Sequence, residues 1–202
     1  MIKTVYFDLG NVLVFFCHKK MIRQIAEVTG LTPQEVQTLL IQKRMQEEYE
    51  QGKIKTEELY TQFSRLGNRS FSLLEFMDSA SDIFTPNEEI FPIIKNLKEQ
   101  GIRLILLSNT SECHFNRVYS HYPILRQFDD LILSFEAGVS KPDPQIFQKA
   151  LALAGCPKSE CFYTDDIQEY VFAARKAGLD SEVFTGPANL RKHLFDRQIL
   201  VE

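Results

Sequence analysis

The chain has 202 residues, of which 44% are apolar and 25% charged, and its net charge is −4. That balance excludes a disordered chain and leaves room for one sizeable core, or a core with a small appended module. With no basic excess or basic patch, a nucleic-acid partner is not indicated, and an anionic ligand must be met by a few placed donors and a cation.

Lys3 is the only early positive charge, and Asp8, Gly10 and Asn11 interrupt what would have to be the apolar stretch of a signal peptide. No window reaches the about 18 uninterrupted apolar residues of a membrane helix. Cys17, Cys113, Cys156 and Cys161 form no CxxC or zinc pattern. Together these predict a cytoplasmic protein with reduced thiols and no membrane partner.

The first predicted element is a strand over Ile2–Phe7, a β-branched and aromatic run that stops at Asp8. From there to Ile102 no strand-like run occurs, and amphipathic helices are predicted instead. Their stripes are Met21, Ile25 and Val28; Val36, Leu39 and Leu40; Leu59, Phe63 and Leu66; and Leu73, Met77, Ala80 and Phe84. Thr32-Pro33-Gln34-Glu35 and Thr85-Pro86-Asn87-Glu88 carry the capping-box pattern of a helix start. A helix over Asn87–Gln100 then leads to strands at Ile102–Leu107 and Leu131–Leu133. Asp143-Pro144 opens a helix that Gly155 stops. A strand at Cys161–Tyr163, a helix from Gln168 to Ala177 capped by Gly178, and a strand at Glu182–Phe184 complete the series.

Short apolar strands alternating with helices imply a parallel sheet covered on both faces. The prediction is a three-layer, Rossmann-like α/β sandwich of five principal strands. Residues 1–15 and 87–202 form the core, and 16–86 form a helical insertion.

In such a sheet ligands bind beyond the carboxyl ends of the strands. Asp8, Gly10 and Asn11 follow the first strand, and Ser108, Asn109 and Thr110 the second. Lys141 comes after the third, and Asp165, Asp166 and Glu169 after the fourth. A carboxylate attacking a phosphate monoester meets like-charge repulsion, which a divalent cation between them removes. Magnesium takes hard oxygen ligands: carboxylate oxygens of Asp8 and Asp166, the Gly10 carbonyl, and Asp165, with Glu169 orienting water from further out. Ser108, the Asn109 amide and Lys141 suit the phosphoryl oxygens. The implied partner is a small phosphorylated substrate; oligomeric state is not legible.

Phe7-Asp8-Leu9-Gly10-Asn11-Val12-Leu13, Leu107-Ser108-Asn109-Thr110, Ser140-Lys141-Pro142-Asp143-Pro144-Gln145-Ile146-Phe147 and Tyr163-Thr164-Asp165-Asp166 with Glu169 resemble the four ordered motifs of the haloacid dehalogenase superfamily. The resemblance spans residue 2 to about residue 185. It implies a phosphatase whose first aspartate, here Asp8, becomes an aspartyl-phosphate. Ser108 and Lys141 would bind phosphate, and Asp165 and Asp166 would hold magnesium. The insertion resembles the family's C1 cap, and the Leu-Gly-Asn wording resembles the branch that includes glucose-1-phosphate phosphatases. Receiver domains place the paired acids after the first strand, the reverse of this order. True dehalogenases need no magnesium and lack the Asp165-Asp166 pair.

One departure stands out. Most phosphatases of the superfamily carry an acid two positions after the nucleophile, where this chain has Gly10. General acid–base help is worth ~10²–10⁴-fold. Either another group or a metal-bound water supplies it, or the leaving group is good, such as a sugar's anomeric oxygen, or the protein is a weak enzyme that binds phosphorylated ligands. Tyr170, where relatives commonly have asparagine, reads as a packing residue. Phe15 and Phe16 read as lining a cleft or anchoring the insertion, and His18, Lys19 and Lys20 as solvated helix residues ahead of the alternative that they face a polyanionic substrate.

Overall fold

The computed structural model describes residues 1–42 and 44–199, so 200–202, the end of the predicted core, lie outside the described residues. In chain order the elements are β1 (Thr4–Phe7), β2 (Val14–Phe16), α1 (His18–Thr29), α2 (Pro33–Gln37), α3 (Met45–Glu50), α4 (Thr56–Leu66), α5 (Leu73–Ser81) and β3 (Phe84–Pro86). There follow α6 (Phe91–Glu99), β4 (Arg103–Ser108), α7 (Glu112–His121), β5 (Asp130–Leu133), α8 (Ser134–Ala137) and α9 (Pro144–Ala152). Then come β6 (Cys161–Asp165), α10 (Gln168–Lys176), β7 (Asp180–Val183) and α11 (Pro187–Asp196).

Five of these strands form one parallel sheet in the order β5-β4-β1-β6-β7, the α/β sandwich predicted from the alternation. All four residues of β1 are buried, as the unbroken apolar run requires of a central strand. Its two faces feed two separate clusters. Val5 and Phe7 pack with Ile90, Ile93, Ile94 and Leu97 of the α6 side, and Tyr6 packs with Ile146, Phe147 and Ala150 of α9. Each fully buried side chain of this size contributes about 1.5–3 kcal/mol. The parallel register brings Phe7, Leu106 and Thr164 level, so Asp8, Ser108 and Asp165 emerge together at one edge.

The helices α1–α5 gather around a third cluster, with Met21, Ile25, Val36, Leu39, Leu40, Leu59, Phe63 and Phe76 buried in it. Two details depart from the predicted stripes. Leu66 is 49% exposed, and in α5 the buried face centres on Phe76 and Ala80, with Leu73 and Met77 at its half-buried edges. The helix ends at Ser81, so Phe84 belongs to a strand and not to the fourth stripe. Thr32 closes the predicted capping box, its side chain accepting from the Glu35 amide. The second predicted box does not form. Thr85 and Pro86 lie in β3, paired antiparallel with β2, and the α-helical turns begin only at Phe91 after a 3-10 turn at Glu88–Ile90. Three residues per strand are too few for a periodic signal, and the pairing partner lies some seventy positions away (Val14 opposite Pro86).

The chain therefore leaves the sheet through β2 and returns through β3 side by side. The described cysteines are free, with Cys156 and Cys161 Sγ 3.6 Å apart. No helix among the described residues is long and apolar enough to cross a membrane.

Candidate active site

Asp8 follows β1 directly, its amide donating to the Thr164 carbonyl at 3.1 Å, so the side chain leaves the sheet at a fixed height. The next residues turn tightly: Leu13 and Val14 amides both donate to the Leu9 carbonyl, at 2.9 and 3.0 Å. Asn11 sits at φ +53 in this turn, a left-handed conformation that asparagine tolerates better than most residues. From there its Nδ2 donates to Asp166 Oδ2 at 2.9 Å, tying the first loop to the loop after β6.

Lys141 is the centre of the cluster. Its Nζ donates to Asp8 Oδ1 at 2.7 Å, Asp165 Oδ2 at 2.6 Å, the Leu107 carbonyl at 3.0 Å and the Tyr163 hydroxyl at 3.1 Å. Tyr163 in turn donates to Asp165. Asn109 clamps the lysine backbone reciprocally: its Nδ2 donates to the Lys141 carbonyl at 2.9 Å, and its Oδ1 accepts from the Lys141 amide at 2.8 Å. Burial disfavours the ammonium, but the carboxylates of Asp8 and Asp165 outweigh it and raise the pKa of Lys141 above the ordinary lysine value. For Asp8 burial wins over Lys141, and its pKa is pushed up to about 7. One ammonium among three carboxylates leaves the cluster with excess negative charge, which favours a proton on Asp8. Asp166, half-buried, is also raised by burial.

Asp8, Asp165 and Asp166 each bring an oxygen within 4.8 Å of the others. A hard cation fits this all-oxygen donor set, which carries more negative charge than Lys141 offsets. Asp165 is the most engaged of the three, accepting from Lys141, Tyr163 and, at 2.8 Å, the Ile167 amide.

A cleft of about 230 Å³ opens over the cluster. Asp8, Gly10, Ser108, Asn109, Lys141 and Asp166 line it from the sheet side, and Phe16, His18, Gln46, Glu50 and Phe84 from the helical side. Ser108 is buried, and its hydroxyl makes only a 3.4 Å contact to the Asn109 carbonyl. Glu169 is not brought to this group. It is exposed on the first turn of α10 and lines a neighbouring groove with Pro142, Pro144 and Phe172. Tyr170, next along the helix, faces the cleft instead, with its ring 5.1 Å from Lys141 Nζ and its hydroxyl accepting from Asn109 Nδ2 at 3.4 Å. Sequence reasoning missed Tyr163, the side-chain clamp of Asn109, and the wall made by Gln46, Glu50, Phe84 and His114. Helical spacing marks none of these as facing a cleft.

Acids, a lysine and a serine thus meet at the carboxyl edge of a parallel α/β sheet, beside a cleft walled by the helices between β1 and β4. The family description "Hydrolase: haloacid dehalogenase-like hydrolase" matches residues 2–178, and the chain belongs to that family and is a hydrolase. It is similar to a D-ribitol-5-phosphate phosphatase of Bacteroides thetaiotaomicron, 24% identical over 96% of this chain and 97% of that one. It is also similar to a sesquiterpene phosphatase of Aspergillus oryzae, 24% identical over 88% and 87%. Among solved structures, a HAD family enzyme from Bacteroides thetaiotaomicron superposes with a TM-score of 0.83 at 22% identity, covering 96% and 98% of the two chains. The complex of that enzyme with magnesium and inorganic phosphate gives 0.77 at 22%, covering 91% and 94%.

Proposed function

We propose that this chain is a magnesium-dependent, cytoplasmic phosphatase that cleaves a small phosphorylated metabolite, of the sugar or polyol phosphate type, through a phosphoenzyme on Asp8. The observation that carries the reading is the meeting of Asp8, Lys141, Asp165 and Asp166 at one end of the sheet, beside a small cleft. Asp8, Asp166 and the Gly10 carbonyl would hold magnesium, with Asp165 supporting from the same cluster. When bound, the ion offsets the repulsion between carboxylate and phosphate.

Asp8 Oδ attacks phosphorus and the ester oxygen departs. Lys141 neutralises charge beside Asp8, and the Ser108 hydroxyl and Asn109 amide receive the phosphoryl oxygens. Asn109 holds Lys141 in place through its backbone, and Tyr163 steadies Asp165. Water then cleaves the aspartyl-phosphate. Residues 16–86 act as a cap whose inner wall meets the leaving group and excludes bulk water. The cleft volume favours a small leaving group, and the ribitol phosphate relative supports a polyol.

Gly10 favours a second reading, a phosphate-ligand binder with little turnover. Release of inorganic phosphate from an aryl phosphate separates the two. On the enzyme reading, release requires magnesium and falls at least about a thousandfold in Asp8→Asn. Thermal stabilisation by phosphorylated ligands without release supports the binder.

A further inference from the structure

An acid at position 10 would have to displace the Phe16 ring. A Cβ built on Gly10 would lie 2.8 Å from Phe16 Cε1, closer than real contacts allow. The ring that fills this space also carries the next candidate. Phe16 and His18 pack with centroids 4.8 Å apart, tilted by 46°, and both line the cleft that holds Asp8, Ser108 and Lys141. We infer that His18 is the catalytic acid and base of this enzyme, carrying the proton that an acid at position 10 carries in other phosphatases of its superfamily. The inference rests on the phosphatase reading above.

Most other titratable groups facing the cleft are spoken for. Lys141 is held between two carboxylates, and Asp165 accepts three hydrogen bonds. His114 is buried with its Nε2 3.1 Å from the Ala80 carbonyl, and Tyr170 accepts from Asn109. Glu50 is the rival: its Oε1 accepts from Gln46 Nε2 at 2.8 Å and burial holds its carboxyl above the ordinary value, so the experiment below sets it against His18. His18 keeps an exposed edge. Its one hydrogen-bond neighbour among the described residues is the same Gln46 Nε2, 3.5 Å from its own Nε2, a long contact that only the neutral ring can accept and that leaves Nδ1 without a partner. Lys20, on the same helix, is bound to Asp82 at 2.9 Å. An imidazole also suits the task chemically, since it gives and takes protons in both directions, and burial lowers the His18 value from the ordinary one, which makes its imidazolium the stronger acid.

The proton balance closes. As the Asp8–phosphorus bond forms and the phosphorus–ester-oxygen bond breaks, the His18 imidazolium gives its proton to the departing alkoxide, which leaves as the alcohol. The neutral imidazole then takes a proton from water while the resulting hydroxide attacks phosphorus. The Asp8–phosphorus bond breaks, hydrogen phosphate leaves, and the imidazolium is restored.

The test compares para-nitrophenyl phosphate, whose leaving group needs no proton, with glycerol phosphate, whose leaving group does, in the full chain with magnesium. In His18→Asn, kcat/KM, which reads the step that expels the alcohol, is expected to fall ~10²–10⁴-fold on the alkyl ester and at least ten times further than on the aryl ester. The control His121→Gln, at the exposed end of α7, keeps both rates. Equal losses of kcat/KM on both esters in His18→Asn, with an unchanged melting temperature, overturn the assignment. So does the same split appearing in Glu50→Gln and not in His18→Asn. Failure of the natural protein to release phosphate from either ester defeats the phosphatase reading itself.

Discussion

At the scale of single residues, the pairing of Gly10 with Phe16 governs what can be rebuilt. Gly10→Asp forces a side chain into the Phe16 ring and is expected to cost about 1–3 kcal/mol, the usual penalty of overpacking. Adding Phe16→Ala should recover part of that loss, and paired thermal melts check both. Asp8 makes a second prediction. Its pKa in the folded chain is near 7, above the unfolded carboxylate value. The folded state thus binds the proton more tightly, so stability is present at low pH and lost as pH rises toward 7 and beyond. With magnesium chelated at pH 8, Asp8→Asn should therefore melt above the natural protein. Added magnesium should stabilise the natural protein more than the variant. A lower melting temperature for chelated Asp8→Asn at pH 8 contradicts this account. The positions of Asp8, Ser108, Lys141, Asp165 and Asp166 were legible because each follows an apolar strand run, directly or by a short loop. Tyr163 was not, because its hydroxyl looks like any other buried aromatic of β6 until the lysine is placed against it.

Among the elements, the joint between α3 and α7 is the most exposed to mutation. Tyr49 accepts from the Cys113 amide at 3.1 Å and meets Thr56 Oγ1 at 2.7 Å, and Thr56 donates to Glu112 Oε2 at 3.0 Å. Tyr49→Phe removes the acceptor and leaves a buried amide unpaired. A loss of about 1–3 kcal/mol is expected, readable by denaturant titration. This joint holds the helical wall of the cleft against the sheet domain, so KM should rise in the same variant. None of it could be read from the chain, because helical periodicity reports which side is apolar and is silent on which polar atom meets which. The long strands and capped helices were legible for the opposite reason, since their signals are local. The pair β2 and β3 has no local signal at all.

For the whole molecule, acid stability hinges on the seam between α5 and α7. His114 is buried there, and burial depresses its pKa to about 4. Its folded value lies below the unfolded one, so the stability it allows is full above about pH 6.5 and lost as pH falls through 4. The loss attributable to this group is roughly 3 kcal/mol, from about 1.4 kcal/mol per pKa unit. His114→Gln, which keeps a donor for the Ala80 carbonyl, should flatten the melting temperature between pH 6.5 and 4. An unaltered slope would remove His114 from the account.

The two-stranded strap formed by β2 and β3 has a wider consequence. Phe16 and Phe84 face one another across it, 6.4 Å between centroids, and the same rings wall the cleft. On the cap reading proposed above, the rings that wall the cleft also join the helices to the sheet, so trimming them to admit a bulkier ester would loosen that joint as well.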